Sequence, residues 1–247
     1  MNSGFFNHLT KGRLFNSVGT HQKFDRAAYD LLKPYIKPNT FPKRSLIMEF
    51  EGYGGPDGLK FKGNYKTDHL WDPINKIGHL PTWIEINYKN LVKALKNGDM
   101  EKAAFEAGFM AHYLTDSLTP AHHLSHKYLL EEYENNKYRK RWKVYGHKGL
   151  LSTHVFFEAG VSSAIIFSPI KVQFDQELLK NIKKAGIKQV VMNESMSIAK
   201  HKMFEQFLKK GWNAKLAKSV KATVVKRIPQ LVAAAWLAAY QEAYGEE

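Results

Sequence analysis

Apolar residues recur with a helical period along most of this chain, and no stretch alternates apolar and polar residues as a half-buried strand would. Signals for helix ends separate these periodic stretches. Asn97 and Gly98 end one of them, and Asp99 can cap the helix that follows. Pro120 ends that second helix. The sequence therefore predicts an all-α fold, organised as a single domain over residues 1–247.

Residues 38–81 are the main interruption of this pattern, because they are rich in proline and glycine. We expect one long loop here, and loops of this length in compact domains are usually functional. Elsewhere the sequence predicts helices at 24–32, 83–95, 100–118, from 122 to about 132, at 150–167, and two or three long helices within 176–244, with interruptions at Gly186, Gly211 and Pro229.

The net charge limits the partners that suit this chain. Its 37 Lys and Arg residues outnumber its 23 Asp and Glu residues, which gives a formal charge of +14. Such a charge favours anionic partners, namely nucleic acid, an acidic membrane surface or phosphate esters. Residues 1–15 lack the apolar run of a secretory signal, so we expect a cytoplasmic protein, with secretion as the alternative. Nothing in the sequence sets the oligomeric state.

A histidine–carboxylate pair lies on the strongest predicted helix, in the segment HYLTDSLTPAHH. His112 and Asp116 are four residues apart, so a helix places them on one face, one turn apart. Because Pro120 ends the helix, His122 can turn back toward the same site. The chain has no cysteine, so any zinc site must use His, Asp and Glu ligands. An ordinary surface ion pair is the alternative interpretation of such spacing.

A second pair and a set of loop residues extend this candidate metal site. The segment THVFFEAG places His154 and Glu158 four residues apart on one helical face. Zinc binds imidazole nitrogen and carboxylate oxygen and needs about four ligands, so two such helices already supply one set. Together with residues from the loop and from the start of the chain, the candidate ligands are His21, Asp57, His69, His112, Asp116, His122, His154 and Glu158.

These motifs resemble the ligand motifs of the bacterial zinc-dependent phospholipases C. HYLTDSLTPAHH and HVFFE are similar to that family's H-x(3)-D-x(5)-H and H-x(3)-E patterns, and DHLWDP and GTH are similar to its loop and N-terminal histidine segments. The ending, 233–245, also resembles the family's last helix. The resemblance covers about residues 11–246 and implies a helical bundle of the type shared with the single-strand-specific zinc nucleases.

The resemblance implies a cluster of two or three zinc ions, which would activate water for attack on a phosphodiester. It also implies that Asp57 is the general base. Carried over from the family, the ligands are Asp57, His69, His112 and Asp116 for one ion, His122, His154 and Glu158 for a second, and His21 with Asp116 for a third. Ring faces in the loop can contact a choline-like head group, and the candidates are Phe61, Tyr65 and Trp71.

The chain departs from the family at its start. The family completes the third zinc site with an N-terminal tryptophan, whereas this chain begins with Met1 and places twenty residues before His21. We therefore expect a weak or absent third site, unless processing near Lys11 exposes a new terminus or His8 substitutes for the tryptophan.

The interval between His122 and His154 is longer than in the family and carries a basic segment. We expect this insert to form a lid or rim that gathers anionic substrate or meets an anionic membrane surface, or else a solvated loop. Its basic residues are Lys137, Arg139, Lys140, Arg141, Lys143 and Lys148.

Two alternatives to a phospholipase stay open at this point. A zinc-dependent single-strand nuclease shares the segment HYLTDSLTPAHH, and the +14 charge suits a polynucleotide, but those nucleases end the ligand set with Asp where this chain has Glu158. A non-catalytic, zinc-stabilised binding protein is favoured by the missing tryptophan. A structural zinc needs only about four ligands, however, and this chain offers more. The sequence therefore predicts a phospholipase C-type phosphodiesterase of unspecified head-group preference.

Overall fold

The structure is a computed structural model, and it describes residues 19–52, 54–57, 69–123, 150–165 and 169–245. Helices dominate these residues, and strand-type pairing among them is limited to one isolated bridge, so the predicted all-α class is confirmed. The helices are α1 (Thr20–Leu32), α2 (Arg44–Glu51), α3 (Leu80–Lys96), α4 (Met100–Leu118), α5 (Leu150–Ile165), α6 (Gln176–Ala185), α7 (Ile187–Ala199), α8 (Met203–Lys210), α9 (Ala214–Ala222) and α10 (Val224–Tyr244), with 3₁₀ turns at Lys33–Tyr35 and Pro120–His122.

Two helices, α4 and α10, form the centre of the protein. Every side chain from 106 to 118 in α4 and from 231 to 240 in α10 is buried, as expected of helices that other helices surround. Trp236 of α10 is fully buried, and its indole N–H donates to the carbonyl oxygen of Ala107 in α4 at 3.2 Å. Within the described ranges, no helix is both long and apolar enough to cross a membrane.

A close approach of two helix backbones brings α2 against α4. Gly108 lies at this crossing, and a Cβ atom there would stand 3.0 Å from the carbonyl oxygen of Ile47 and 3.1 Å from the backbone nitrogen of Glu51. Glycine is the residue that permits such proximity. As a result, Glu51 at the end of α2 meets His112, which follows Gly108 by one turn of α4.

Helix α2 lies inside the segment that the sequence analysis predicts as one long loop, so that prediction is wrong over Arg44–Glu51. The prolines and glycines of this region flank the helix instead of interrupting it. Ile47, Met48 and Glu51 form its buried face, with the spacing of three or four residues that an amphipathic helix requires.

The C-terminal region contains five helices, α6 to α10, where two or three long ones are predicted. Gly186 and Gly211 do end helices, and their positive φ angles of 81° and 65° suit glycine. Pro229, a predicted interruption, lies inside α10. An internal proline costs roughly 3 kcal/mol through a lost hydrogen bond and crowding. The buried residues that follow it offset this cost, so the helix continues.

Candidate metal centre

The eight predicted ligands come together at one end of α4. Their side chains belong to helices α1, α4 and α5, to the stretches after α2 and before α3, and to the 3₁₀ turn that follows α4. They are His21 on α1, Asp57 after α2, His69 before α3, His112 and Asp116 on α4, His122 in the 3₁₀ turn, and His154 and Glu158 on α5.

Asp116 lies between the histidines of this set, and it is almost completely buried. Its Oδ2 lies 2.8 Å from Nδ1 of His69 and 3.3 Å from Nε2 of His112. Its Oδ1 lies 3.2 Å from Nε2 of His122 and 3.8 Å from Nε2 of His21. Each oxygen of one carboxylate therefore faces a different pair of imidazoles.

A second group forms where α5 meets the 3₁₀ turn. Oε1 of Glu158 lies 3.0 Å from Nε2 of His122 and 2.9 Å from Nε2 of His154. In both rings Nδ1 faces a backbone carbonyl oxygen, that of His69 at 2.9 Å and that of Ala121 at 3.2 Å. A carbonyl oxygen can only accept a hydrogen bond, so Nδ1 of each ring carries the proton. The unprotonated Nε2 can then bind a metal ion.

Asp57 and His154 mark the side of the centre that faces solvent. Oδ1 of Asp57 lies 3.9 Å from Nε2 of His112, and Asp57, His69 and His112 can share one ion. The Asp57 side chain is 23% exposed and the His154 side chain 20%, whereas the side chain of His112 is fully buried. Solvent can therefore reach the centre past Asp57 and His154.

The donor atoms fit a zinc cluster by type and by spacing. Zinc–nitrogen and zinc–oxygen bonds of about 2.0–2.2 Å place two ligands of one tetrahedral ion roughly 3.3 Å apart. Nε2 of His112 stands 3.3 Å from Oδ2 of Asp116 and 3.3 Å from Nδ1 of His69. These are distances between neighbours around a common ion.

The electrostatics of the centre favour an ionised carboxylate at its middle. Burial alone would raise the pKa of the Asp116 carboxyl, but the rings of His122 and His112 hold that pKa well below its usual range. Burial alone would lower the pKa of the His112 ring, but Asp116 and Glu51 raise that pKa well above its ordinary value. An anionic, desolvated carboxylate among imidazoles is the arrangement that a divalent cation stabilises.

Glu51 is the residue of this centre that the sequence analysis missed. Its side chain is fully buried, and its Oε1 lies 3.1 Å from Nδ1 of His112 and 2.9 Å from Nδ1 of His21. His21, Glu51 and His112 form a further group that can hold a metal ion. The sequence signal that could have identified Glu51 is its helical spacing from Ile47 and Met48, which places a carboxylate on the apolar face of a short helix.

Two other side chains near the centre have structural roles. His123 is buried and donates from Nε2 to the carbonyl oxygen of Ser117 at 2.8 Å, and burial lowers the pKa of its ring to about 4. Trp71 is only 4% exposed and its indole donates to the hydroxyl of Ser195 at 3.0 Å, so its predicted contact with a head group is wrong. Further predictions lie outside the described residues. They concern His8, Phe61, Tyr65, the helix from 122 to about 132 beyond residue 123, and the basic segment from Lys137 to Lys148.

The fold and the centre define an all-α protein with a buried histidine–carboxylate metal site. Residues 49–221, well over half of the chain, match the family model described as zinc dependent phospholipase C. This chain belongs to the zinc-dependent phospholipase C family. No curated protein matches it.

Two solved structures are similar to this chain in fold. The alpha-toxin of an avian strain of Clostridium perfringens gives a TM-score of 0.60 at 13% sequence identity, over 93% of this chain and 65% of that chain. The alpha toxin of Clostridium absonum gives 0.59 at 15% identity, over 90% of this chain and 63% of that chain. This chain thus spans less than two thirds of either toxin, and the likeness is one of fold.

Proposed function

We propose that this protein is a zinc-dependent phosphodiester hydrolase that acts on phospholipids with phospholipase C-type cleavage. The observation that carries the proposal is the position of Asp116, whose two oxygens face the imidazoles of separate metal-capable groups at 2.8–3.8 Å. Membership of the zinc-dependent phospholipase C family supports the choice of metal and substrate class.

We assign two or three zinc ions to the centre. The bound zinc would supply Lewis-acid chemistry and render water nucleophilic near neutral pH. The proposed ligands are Asp57, His69, His112 and Asp116 for one ion, His122, His154 and Glu158 for a second, and His21 with Asp116 for a third.

Asp57 is the proposed general base. It is the most exposed carboxylate of the centre, and its Oδ1 lies 3.9 Å from Nε2 of the buried His112, so it can meet a water molecule at the solvent-facing edge. Asp57→Asn keeps the shape of the side chain but removes its ability to take a proton. We expect turnover to fall about 10²–10⁴-fold. Full turnover of Asp57→Asn with its zinc content unchanged would exclude this role.

Anionic substrate or an anionic membrane surface is the proposed partner of the basic segment. The net charge of +14 supports this proposal. Its test is the triple substitution of Arg139, Lys140 and Arg141 by Gln, measured as sedimentation with vesicles rich in anionic lipid. Unchanged binding by the triple variant would contradict the proposal.

The function as a whole is tested by offering the zinc-loaded protein mixed phospholipid vesicles and single-stranded DNA side by side, each with and without a chelator. We expect phosphorylated head group to be released from vesicles, and the chelator to abolish that release. Cleavage of DNA alone would identify a zinc nuclease instead. Turnover of neither substrate by protein with a measured, full zinc content would favour a non-catalytic binding protein.

A further inference from the structure

Glu51 occupies a position that is unfavourable for a carboxylate in an ordinary helix. It is the last residue of α2, where the helix dipole opposes negative charge, and its side chain is fully buried. Burial of an unpaired charge is strongly destabilising. Its Oε1 lies against the rings of His21 and His112, from two other helices, and the buried carboxylate of Asp25 on α1 also interacts with it electrostatically. A buried carboxylate between two histidines at such a position points to the requirements of the metal centre.

One oxygen of Glu51, Oε1, lies close to the Nδ1 atom of each of these two rings. Oε1 lies 3.1 Å from Nδ1 of His112 with hydrogen-bond alignment. It lies 2.9 Å from Nδ1 of His21, in a close contact that lacks this alignment. The two rings stand 4.6 Å apart at their centroids, tilted by 38°. Glu51 therefore bridges the imidazole of α1 and that of α4.

The opposite edges of these rings face the centre. Nε2 of His112 lies 3.3 Å from Asp116 and 3.9 Å from Asp57, and Nε2 of His21 lies 3.8 Å from Asp116. A neutral imidazole binds a metal through one nitrogen and carries its proton on the other. Because the other candidate ligand atoms are gathered at Nε2, the proton of each ring belongs on Nδ1. Glu51 accepts the Nδ1 proton of His112, and its Oε1 lies 2.9 Å from Nδ1 of His21.

We propose that Glu51 is a positioning residue of the metal centre, whose Oε1 accepts the Nδ1 proton of His112 and lies against Nδ1 of His21, and thereby aims the Nε2 atoms of both rings at Asp116. This inference rests on the proposed zinc centre. His122 and His154 use backbone carbonyls for the same purpose, so a carboxylate at Nδ1 sets His112 and His21 apart from them. Glu51 thus acts on His21, the proposed ligand of the third ion.

Three variants test this role. Glu51→Gln keeps the size of the side chain and an oxygen acceptor but removes the charge, and Glu51→Ala removes the acceptor. Glu106→Gln is the matched control, because Glu106 is also a buried carboxylate, but it accepts from Asn87 at 2.7 Å and pairs with Lys102 at 2.8 Å, away from the histidines.

The measurements are zinc stoichiometry at saturation, zinc affinity by competition with a chromophoric chelator, and the visible spectrum of the cobalt-loaded protein. For Glu51→Ala we expect the weakest site to lose about 10–100-fold in affinity and the cobalt spectrum to shift, with the number of ions at saturation unchanged. Glu51→Gln should show a smaller loss in the same direction, and Glu106→Gln should match the wild type.

Two results would overturn the inference. A loss of one ion at saturation in folded Glu51→Gln would make Glu51 a metal ligand, and unchanged affinity in both Glu51 variants would leave it without a role at the centre. If Glu51→Ala fails to fold, Glu51→Gln alone decides. Zinc-loaded wild-type protein that hydrolyses neither lipid nor DNA would refute the proposed function while leaving these metal measurements valid.

Discussion

Replacement of Asp116 by Asn is the sharpest perturbation of the proposed centre. The amide has nearly the same shape as the carboxylate, so the packing at the end of α4 is kept. The substitution removes the negative charge and turns one of the two oxygens into an NH₂ group, which cannot bind a metal. Because Oδ1 faces His122 and His21 while Oδ2 faces His69 and His112, one side of the centre must lose its oxygen donor.

The size of the loss follows from the number of ligands. Zinc bound by four protein ligands contributes about 10–16 kcal/mol in small structural sites, or roughly 3 kcal/mol per ligand. Since 1.4 kcal/mol is a factor of ten, the affected ion should bind about 100-fold more weakly. The other ion keeps the remaining oxygen, and its affinity should change less. At intermediate free zinc, Asp116→Asn should therefore hold at least one ion fewer than the wild type.

The assay is metal content after dialysis against a series of zinc buffers, followed by competition with a chelator. Glu106→Gln is the control, since Glu106 lies on the same helix, is also buried and has no histidine partner among the described contacts. Equal zinc content for Asp116→Asn and the wild type at every free zinc concentration would show that the carboxylate does not bridge the groups. The reasoning about a shared centre would then be wrong.

Three further predictions concern stability. Removal of zinc with a chelator should lower Tm by about 5–10 °C for each site lost, since zinc at 100 times its Kd contributes about 2.7 kcal/mol; calorimetry with and without chelator checks this. Gly108→Leu should destabilise the protein by about 1–3 kcal/mol in urea titrations and weaken zinc binding, because its Cβ would meet the α2 backbone at 3.0 Å. Trp236→Ala should cost about 3–5 kcal/mol in the same titrations without changing the zinc stoichiometry, because it empties the fully buried centre of α10.

The paired ligands could be predicted because local rules fix their geometry. Helix α4 has the predicted bounds, Met100–Leu118, since Asp99 caps it through a hydrogen bond from the backbone nitrogen of Lys102 at 2.9 Å and Pro120 follows its end. Within a helix the interval of four residues places His112 and Asp116 on one face without reference to the rest of the chain.

The approach of α2 to the centre could not be predicted in this way. Eight residues between proline- and glycine-rich stretches give too short a window for a helical period. The burial of Glu51 depends on the contact between α2 and α4 at Gly108. These two helices are far apart in the sequence. Its role therefore becomes visible only when the tertiary contact is known, whereas that of Asp116 follows from its own helix.

The centre combines a rigid, buried side with an open one, and the two sides suit different tasks. Asp116, Glu51 and His112 lie on or against the central helix, where dense packing holds their side chains in one arrangement. A buried group of ionisable side chains is unfavourable alone, so metal binding and folding should be coupled there. Asp57 and His154 lie at the solvent-facing edge, where the proposed substrate would approach without unpacking α4. Substitutions on the buried side should therefore change metal affinity and Tm together, while Asp57→Asn should lower turnover even when zinc is supplied at saturation.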